Sequence, residues 1–71
     1  MELNYGVFYV EGGCLQLFEL YHKQRKARAR ARAIAVNCRI TKRNAEAWTP
    51  DRYADGAGEI DVYVMEPENS R

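Results

Sequence analysis

Nine of the eleven lysines and arginines lie in one block between Leu20 and Ala45, which contains no acid. These cations are Lys23, Arg25, Lys26, Arg28, Arg30, Arg32, Arg39, Lys42 and Arg43. Guanidinium and ammonium groups bind phosphate oxygens, and arginine also contacts guanine or stacks on bases. The block therefore predicts a surface that binds a polyanion, most simply nucleic acid contacted through its phosphates.

The net charge of the whole chain, +1 at neutral pH, conceals this block. Residues 1–19 contain three acids and neither lysine nor arginine, and residues 46–71 contain seven acids and two arginines. Such segregation creates a local field that the total charge does not suggest. One alternative stays open, in which the cations form an ordinary solvated helix face balanced in space by acidic strands over residues 2–10 and 59–65.

Catalytic and metal chemistry have little support in the sequence. The only histidine is His22, and the only thiols are Cys14 and Cys38. A Cys/His nucleophilic pair needs a third, orienting group, and structural zinc needs four ligands with closely spaced pairs. Neither pattern occurs, so we expect no enzymatic activity, no metal and no other cofactor. Because there is no signal-peptide pattern, we expect a cytoplasmic protein whose two thiols are reduced and buried.

A length of 71 residues allows one small domain, and no apolar run is long enough to span a membrane. The hydrophobic share of 46% is typical of a globular chain. We predict a single domain over residues 1–66, followed by a C-terminal tail over residues 67–71.

The N-terminal third predicts a β-hairpin. Residues 3–10 and 14–21 are rich in aromatic and β-branched residues, and Gly12 and Gly13 between them suit a tight turn. This turn would pair Glu11 with Cys14, Val10 with Leu15, Phe8 with Leu17, and Val7 with Phe18. A rival interpretation is one helix over residues 14–37, because apolar or small residues recur there at alternating spacings of three and four.

Both interpretations place the Arg/Ala-rich segment on a helix, since alanine is the best helix former and a poor strand former. Its buried face would consist of Ala27, Ala31, Ile34 and Ala35. The cations would then form two stripes, one of Arg25, Arg28 and Arg32 and one of Lys23, Lys26 and Arg30. Cations at the start of this helix would oppose its dipole, and no good capping residue precedes them.

The C-terminal half predicts one or two further strands. Cys38, Ile40 and Thr41 would form the first of them, with Arg39, Lys42 and Arg43 in solvent. Thr49 would cap a single helical turn that begins at Pro50. Residues 59–65 alternate apolar and polar side chains and predict a half-buried strand. The fold class is α+β, an antiparallel sheet of three or four strands with one basic helix on a face, in the order ββαββ or βαββ.

The partner-binding residues predicted from this pattern are Arg25, Lys26, Arg28, Arg30, Arg32, Arg39, Lys42 and Arg43, with Trp48 and Tyr53 as candidate aromatic anchors. Nucleic acid or an acidic protein surface would fit the cations. The alternative is an inhibitor that occludes one host protein, because very small proteins with polarised surfaces are typical of phage-encoded modulators, anti-CRISPR proteins among them. That likeness is one of size and surface character only. We also expect a homodimer that buries Val7, Phe8, Phe18 and Leu20.

Overall fold

The computed structural model describes residues 4–56 and 58–65. The elements are β1 (Asn4–Glu11), β2 (Cys14–Tyr21), α1 (Gln24–Cys38), β3 (Lys42–Arg43), β4 (Asp51–Ala54) and β5 (Gly58–Met65). The predicted tail over residues 67–71 lies outside the described residues.

The strands form one antiparallel sheet in the order β2-β1-β5-β4-β3, and α1 packs on one of its faces. The prediction of an α+β fold with a single helix on an antiparallel sheet is confirmed. The sheet has five strands, whereas the sequence predicted three or four. Strands β1 and β5 lie at its centre and β2 and β3 at its edges.

The N-terminal hairpin forms as predicted, and the rival helix over residues 14–37 is wrong. Gly12 and Gly13 adopt φ values of 60° and 80°, the positive values that a tight hairpin turn requires. Glu11 pairs with Cys14 and Val10 with Leu15, as expected. A bulge between Tyr9 and Val10 then shifts the register, so that Phe8 lies opposite Phe18 and Val7 opposite Glu19. The two inner pairs of the sequence prediction are therefore wrong by one residue.

The core lies between α1 and the central strands. Val7, Ile60 and Val62 are fully buried on the sheet, and Ala27 and Ala31 meet them from the helix. Because alanine carries only a methyl group, the helix can lie close against the sheet. The predicted buried face of the helix, completed by Ile34 and Ala35, is confirmed. Val7 thus belongs to the core, so the expected dimer contact through Val7 is wrong.

The segment after the helix differs from the prediction. Cys38 is the last helical residue, and Arg39 adopts a left-handed conformation with φ 60° and ψ 44° that ends the helix. Ile40 is buried but lies in no strand, so the strand predicted over Cys38, Ile40 and Thr41 is wrong. A two-residue strand, β3, forms at Lys42 and Arg43 instead.

The helical turn predicted at Thr49 and Pro50 is also wrong. Glu46 and Thr49 form a β-bridge, and the chain continues directly into β4. Tyr53 of β4 lies opposite Ile60 of β5. Pairing with β5, which follows β4 after a short turn, decides the conformation, because strand formation depends more on the neighbouring strand than on the residue types themselves.

Both thiols are free, as expected, but Cys14 and Cys38 are exposed and not buried. Cys14 follows directly after the hairpin turn, and Cys38 is the last residue of the helix. The Cys38 thiol lies 3.5 Å from the Tyr9 hydroxyl and donates to it. The expectation of buried thiols is wrong because both residues sit at element ends, where little of the fold covers them.

Candidate polyanion-binding groove

A groove of about 770 Å³ runs between one side of α1 and the β3–β4 edge of the sheet. Five cations line it: Arg25, Arg28, Arg32, Arg39 and Lys42. Residues three and four positions apart lie on one side of a helix, which places Arg25, Arg28 and Arg32 in a row, and Arg39 lines the same groove directly after the helix ends. We call this surface the basic groove.

The arginines of the basic groove have no carboxylate within ion-pair distance among the described residues. This applies to Arg25, Arg28, Arg32 and Arg39, and all four are exposed. Their field therefore extends into solvent, where salt screens it with a Debye length of roughly 8–10 Å.

Asp51 and Tyr53 lie beneath these cations. Asp51 is only 3% exposed, and its Oδ2 accepts a hydrogen bond of 3.0 Å from the Tyr53 hydroxyl. The other oxygen, Oδ1, accepts no hydrogen bond from any described residue, but the Lys42 ammonium lies 3.5 Å from it. That distance gives charge attraction without a well-formed hydrogen bond. Lys42 is therefore the groove cation whose charge is partly offset.

The pKa of Tyr53 depends on its burial and on the charged groups around it. Burial and the hydrogen bond to Asp51 raise the pKa of Tyr53, and the positive charges of Arg32 and Arg28 act in the opposite direction. The positive charges of these two guanidinium groups therefore act on the buried Tyr53 hydroxyl as well as on ions in the solvent above the groove.

In the second predicted stripe, of Lys23, Lys26 and Arg30, one cation forms an ion pair with β2. Arg30 Nε lies 3.1 Å from Glu19 Oε1, and the Tyr21 hydroxyl donates to the same oxygen at 2.6 Å. The Tyr21 hydrogen bond, followed by that of Arg30, lowers the pKa of Glu19. Arg30 is therefore neutralised within the chain. Lys26 is exposed and has no ion pair among the described residues.

Arg43 also lies outside the basic groove. Its Nε donates a 2.8 Å hydrogen bond to the Ala54 carbonyl, which fixes the side chain along the sheet edge. The eight predicted binding residues therefore separate into five that line one groove and three that do not, namely Lys26, Arg30 and Arg43.

The two candidate aromatic anchors differ in exposure. Trp48 is 64% exposed, whereas Tyr53 is 6% exposed and belongs to the core. Tyr53 as a surface anchor is therefore wrong, because strand pairing turns its ring beneath α1. The Trp48 carbonyl accepts a 3.0 Å hydrogen bond from the Val64 amide, so the turn is tied to β5 while the indole projects outward.

The acids of β5 lie on the other face of the sheet, away from the helix. Asp61 is buried there beside Arg52, whose Nε lies 3.4 Å from its Oδ1. Burial, followed by a hydrogen bond with Glu59, raises the pKa of Asp61 to about 6. Glu19 and Asp51 form ion pairs with cations of the basic block, whereas Asp61 of β5 pairs with Arg52, which lies outside that block.

The start of α1 is electrostatically unfavourable, as the sequence indicated. Lys23 occupies the N-cap position without a side-chain hydrogen bond, and the first turn contains no acid. Arg25 and Lys26 follow at the positive end of the helix dipole, where each cation costs about 0.3–1 kcal/mol when exposed. These cations therefore destabilise the start of the helix.

Over residues 4–56 and 58–65, no group of three or more His, Cys, Asp or Glu side chains could hold a metal ion. His22 is exposed, with Nδ1 3.0 Å from Asn4 Oδ1. In the same part of the chain, no helix combines the length and apolar character that a membrane span needs.

Sequence reasoning missed Asp51, the one buried acid of the basic groove. Asp51 and Tyr53 are two positions apart and so lie on the same face of a strand, but this is a weak strand signal, and the neighbouring Pro50 favoured a turn. Comparison with protein-family models, with curated proteins and with solved structures gave no match. The function must therefore be inferred from the chemistry of the surface.

Proposed function

We propose that this protein binds nucleic acid through its phosphates, using the basic groove, and that it has no enzymatic activity. The observation that carries the proposal is the row of Arg25, Arg28, Arg32 and Arg39, which has no carboxylate partner among the described residues. Clustered cations without internal counterions release condensed ions from a polyanion when they bind it.

The dimensions of the row suit a nucleic-acid backbone. A helix rises about 1.5 Å per residue, so the Cα atoms of Arg25 and Arg39 are about 21 Å apart along its axis. One strand of duplex DNA advances about 3.4 Å per phosphate along its axis while it winds around that axis, so a straight row of this length faces fewer than about six phosphates of one strand. The arginines and Lys42 can thus contact several phosphates of one backbone.

The residues between the arginines leave room for that backbone. Ala29, Ala35 and the exposed Val36 line the groove beside them, and all three side chains are much shorter than arginine, so they do not obstruct a phosphate chain held at the guanidinium groups. Arginine is also the suitable cation, because its planar fork gives two parallel hydrogen bonds to a phosphate. The groove presents no arrangement that favours one base over another, so binding should depend on charge more than on sequence.

A titration with short random-sequence duplexes tests the proposal. Fluorescence anisotropy at about 50 mM salt should show binding of DNA and RNA duplexes of unrelated sequence with similar affinity. A peptide nucleic acid duplex of the same sequence is the matched control, because its backbone carries no charge, and it should not bind. No detectable binding of the charged duplexes, or equal binding of the uncharged one, would contradict the proposal.

A second candidate function is inhibition of a host protein by occlusion. The observation that favours it is Trp48, 64% exposed on a turn whose backbone is bonded to β5. Exposed, rigidly held tryptophan is typical of energetically dominant positions in protein interfaces. Affinity capture from the source cell separates the candidates: one stoichiometric protein partner would favour inhibition, and nucleic acid alone would favour the first proposal.

A further inference from the structure

The two edges of the sheet are built differently. The edge strand β3 has two residues, Lys42 and Arg43, so its charge and shortness discourage pairing with another strand. The edge strand β2 has eight residues, with the sequence CLQLFELY. It contains no proline and one charged residue, Glu19. No described strand pairs with its outer side.

The side chains of β2 are unusually apolar for an exposed edge. Leu15, Phe18 and Leu20 are 59%, 44% and 56% exposed. The only charge, on Glu19, is already engaged by Arg30 and Tyr21. Natural sheets protect long edges with lysine, proline, bulges or inward-pointing charges. β2 has neither lysine nor proline, its inward-pointing Glu19 is neutralised by Arg30, and its bulge lies at the end near the hairpin turn, so residues 17–21 stay regularly paired on their inner side.

We propose that β2 pairs with β2 of a second copy of this chain, antiparallel across a two-fold axis. Two five-stranded sheets would then become one continuous sheet. The occupant is a second copy because two identical strands can pair antiparallel about a two-fold axis. Residue i of one copy then faces residue j of the other and j faces i, so the exposed apolar side chains of the two strands meet, while Glu19, the sole acid of each β2, remains paired with Arg30 of its own copy.

The geometry of this pairing has a consequence for the helices. Adjacent antiparallel strands related by a two-fold axis keep the same face of the sheet upward, since the axis runs perpendicular to the sheet. Both α1 helices would therefore lie on one face of the joined sheet. On the opposite face, Phe18, which contacts Phe8 with ring centroids 4.6 Å apart, would approach its counterpart.

The strand is long enough for a specific but modest interface. Eight residues extend about 27 Å and can form about eight hydrogen bonds with an antiparallel partner. Typical stable interfaces bury about 800 Å² per partner, and one strand with three exposed apolar side chains lies at the lower end of that range. We therefore expect a dimer that dissociates on dilution.

Sedimentation equilibrium at chain concentrations from about 1 µM to 1 mM tests the inference, because a dimer with an interface this small should dissociate within that range. The wild-type protein should pass from monomer to dimer across this range. Leu15→Lys with Leu20→Lys should stay monomeric, because lysine blocks edge pairing. The matched control, Val36→Lys with Trp48→Lys, changes two equally exposed apolar residues outside β2 and should dimerise like wild type.

Amide hydrogen exchange of the wild-type protein identifies the surface used and needs no variant. Pairing through β2 should slow exchange of its outward-facing amides at high concentration and leave the β3 amides unchanged. A protein that stays monomeric at the highest concentration would overturn the inference. Dimerisation of the folded Leu15/Leu20 variant, or a dimer whose β2 amides exchange as fast as in the monomer, would overturn it as well.

Discussion

Replacing Arg28 and Arg32 together with glutamate is expected to lower the affinity for duplex nucleic acid by at least about 100-fold. Each arginine–phosphate contact contributes about 1.5–3 kcal/mol as a charge-assisted hydrogen bond, and two contacts are lost. The introduced acids also repel the backbone. Anisotropy titration at a fixed salt concentration measures the change, and circular dichroism shows whether the fold is retained.

The matched control carries the same change in charge outside the basic groove. Lys26→Glu with Arg43→Glu alters two exposed cations that do not line it. Long-range repulsion is screened beyond about 8–10 Å, so this variant should lose less than about tenfold. Equal losses in the two variants would show that total charge, and not the groove, determines binding.

Replacing Ala31 with leucine is expected to lower the free energy of unfolding by about 1–3 kcal/mol, the usual cost of overpacking a close-packed core. Ala31 is fully buried where α1 meets the sheet, and the added carbon atoms must push the two layers apart. Chemical denaturation of wild type and variant, with the same slope in denaturant, measures the difference.

Ala33→Leu is the control for that substitution, since it lies two positions away on the same helix and is exposed. Both variants have similar helix propensity, so Ala33→Leu should change stability by less than about 0.5 kcal/mol. A stable Ala31→Leu protein would mean that alanine does not set the distance between helix and sheet.

The elements that the sequence predicted correctly are those with a strong local signal. Gly12 and Gly13 adopt the positive φ values that their type allows, and α1 follows from alanine spacing at Ala27 and Ala31. The strand over Glu59–Met65 was visible because alternating side chains face two different environments. Each of these signals needs no knowledge of distant residues.

The elements that the sequence did not predict depend on how neighbouring strands pair, which no single residue type indicates. β4 is a strand because β5 lies beside it, although Pro50 and the residues around it favour a turn. The bulge beside Tyr9 shifts the hairpin register, and no glycine or proline at that point of the sequence indicates it. Asp51 enters the basic groove only when β4 is in place, so its position beneath the arginines could not be deduced from spacing.

The sequence also could not show which cations would form an ion pair with an acid of the same chain. Helical spacing placed Arg30 on one stripe and Arg28 on the other, but it could not show that Glu19 of β2 would neutralise only the first. The pairing depends on the hairpin register, which brings β2 alongside the helix.

Salt dependence of binding tests most directly whether the arginines of the basic groove bind phosphates. For wild type, the logarithm of the association constant should fall against the logarithm of salt concentration with a slope of about −3 to −5. Arg28→Gln with Arg32→Gln should make that slope less negative by about 2, because each lost phosphate contact removes about 0.9. A wild-type slope near zero, or a slope that the two substitutions leave unchanged, would contradict phosphate binding by this groove.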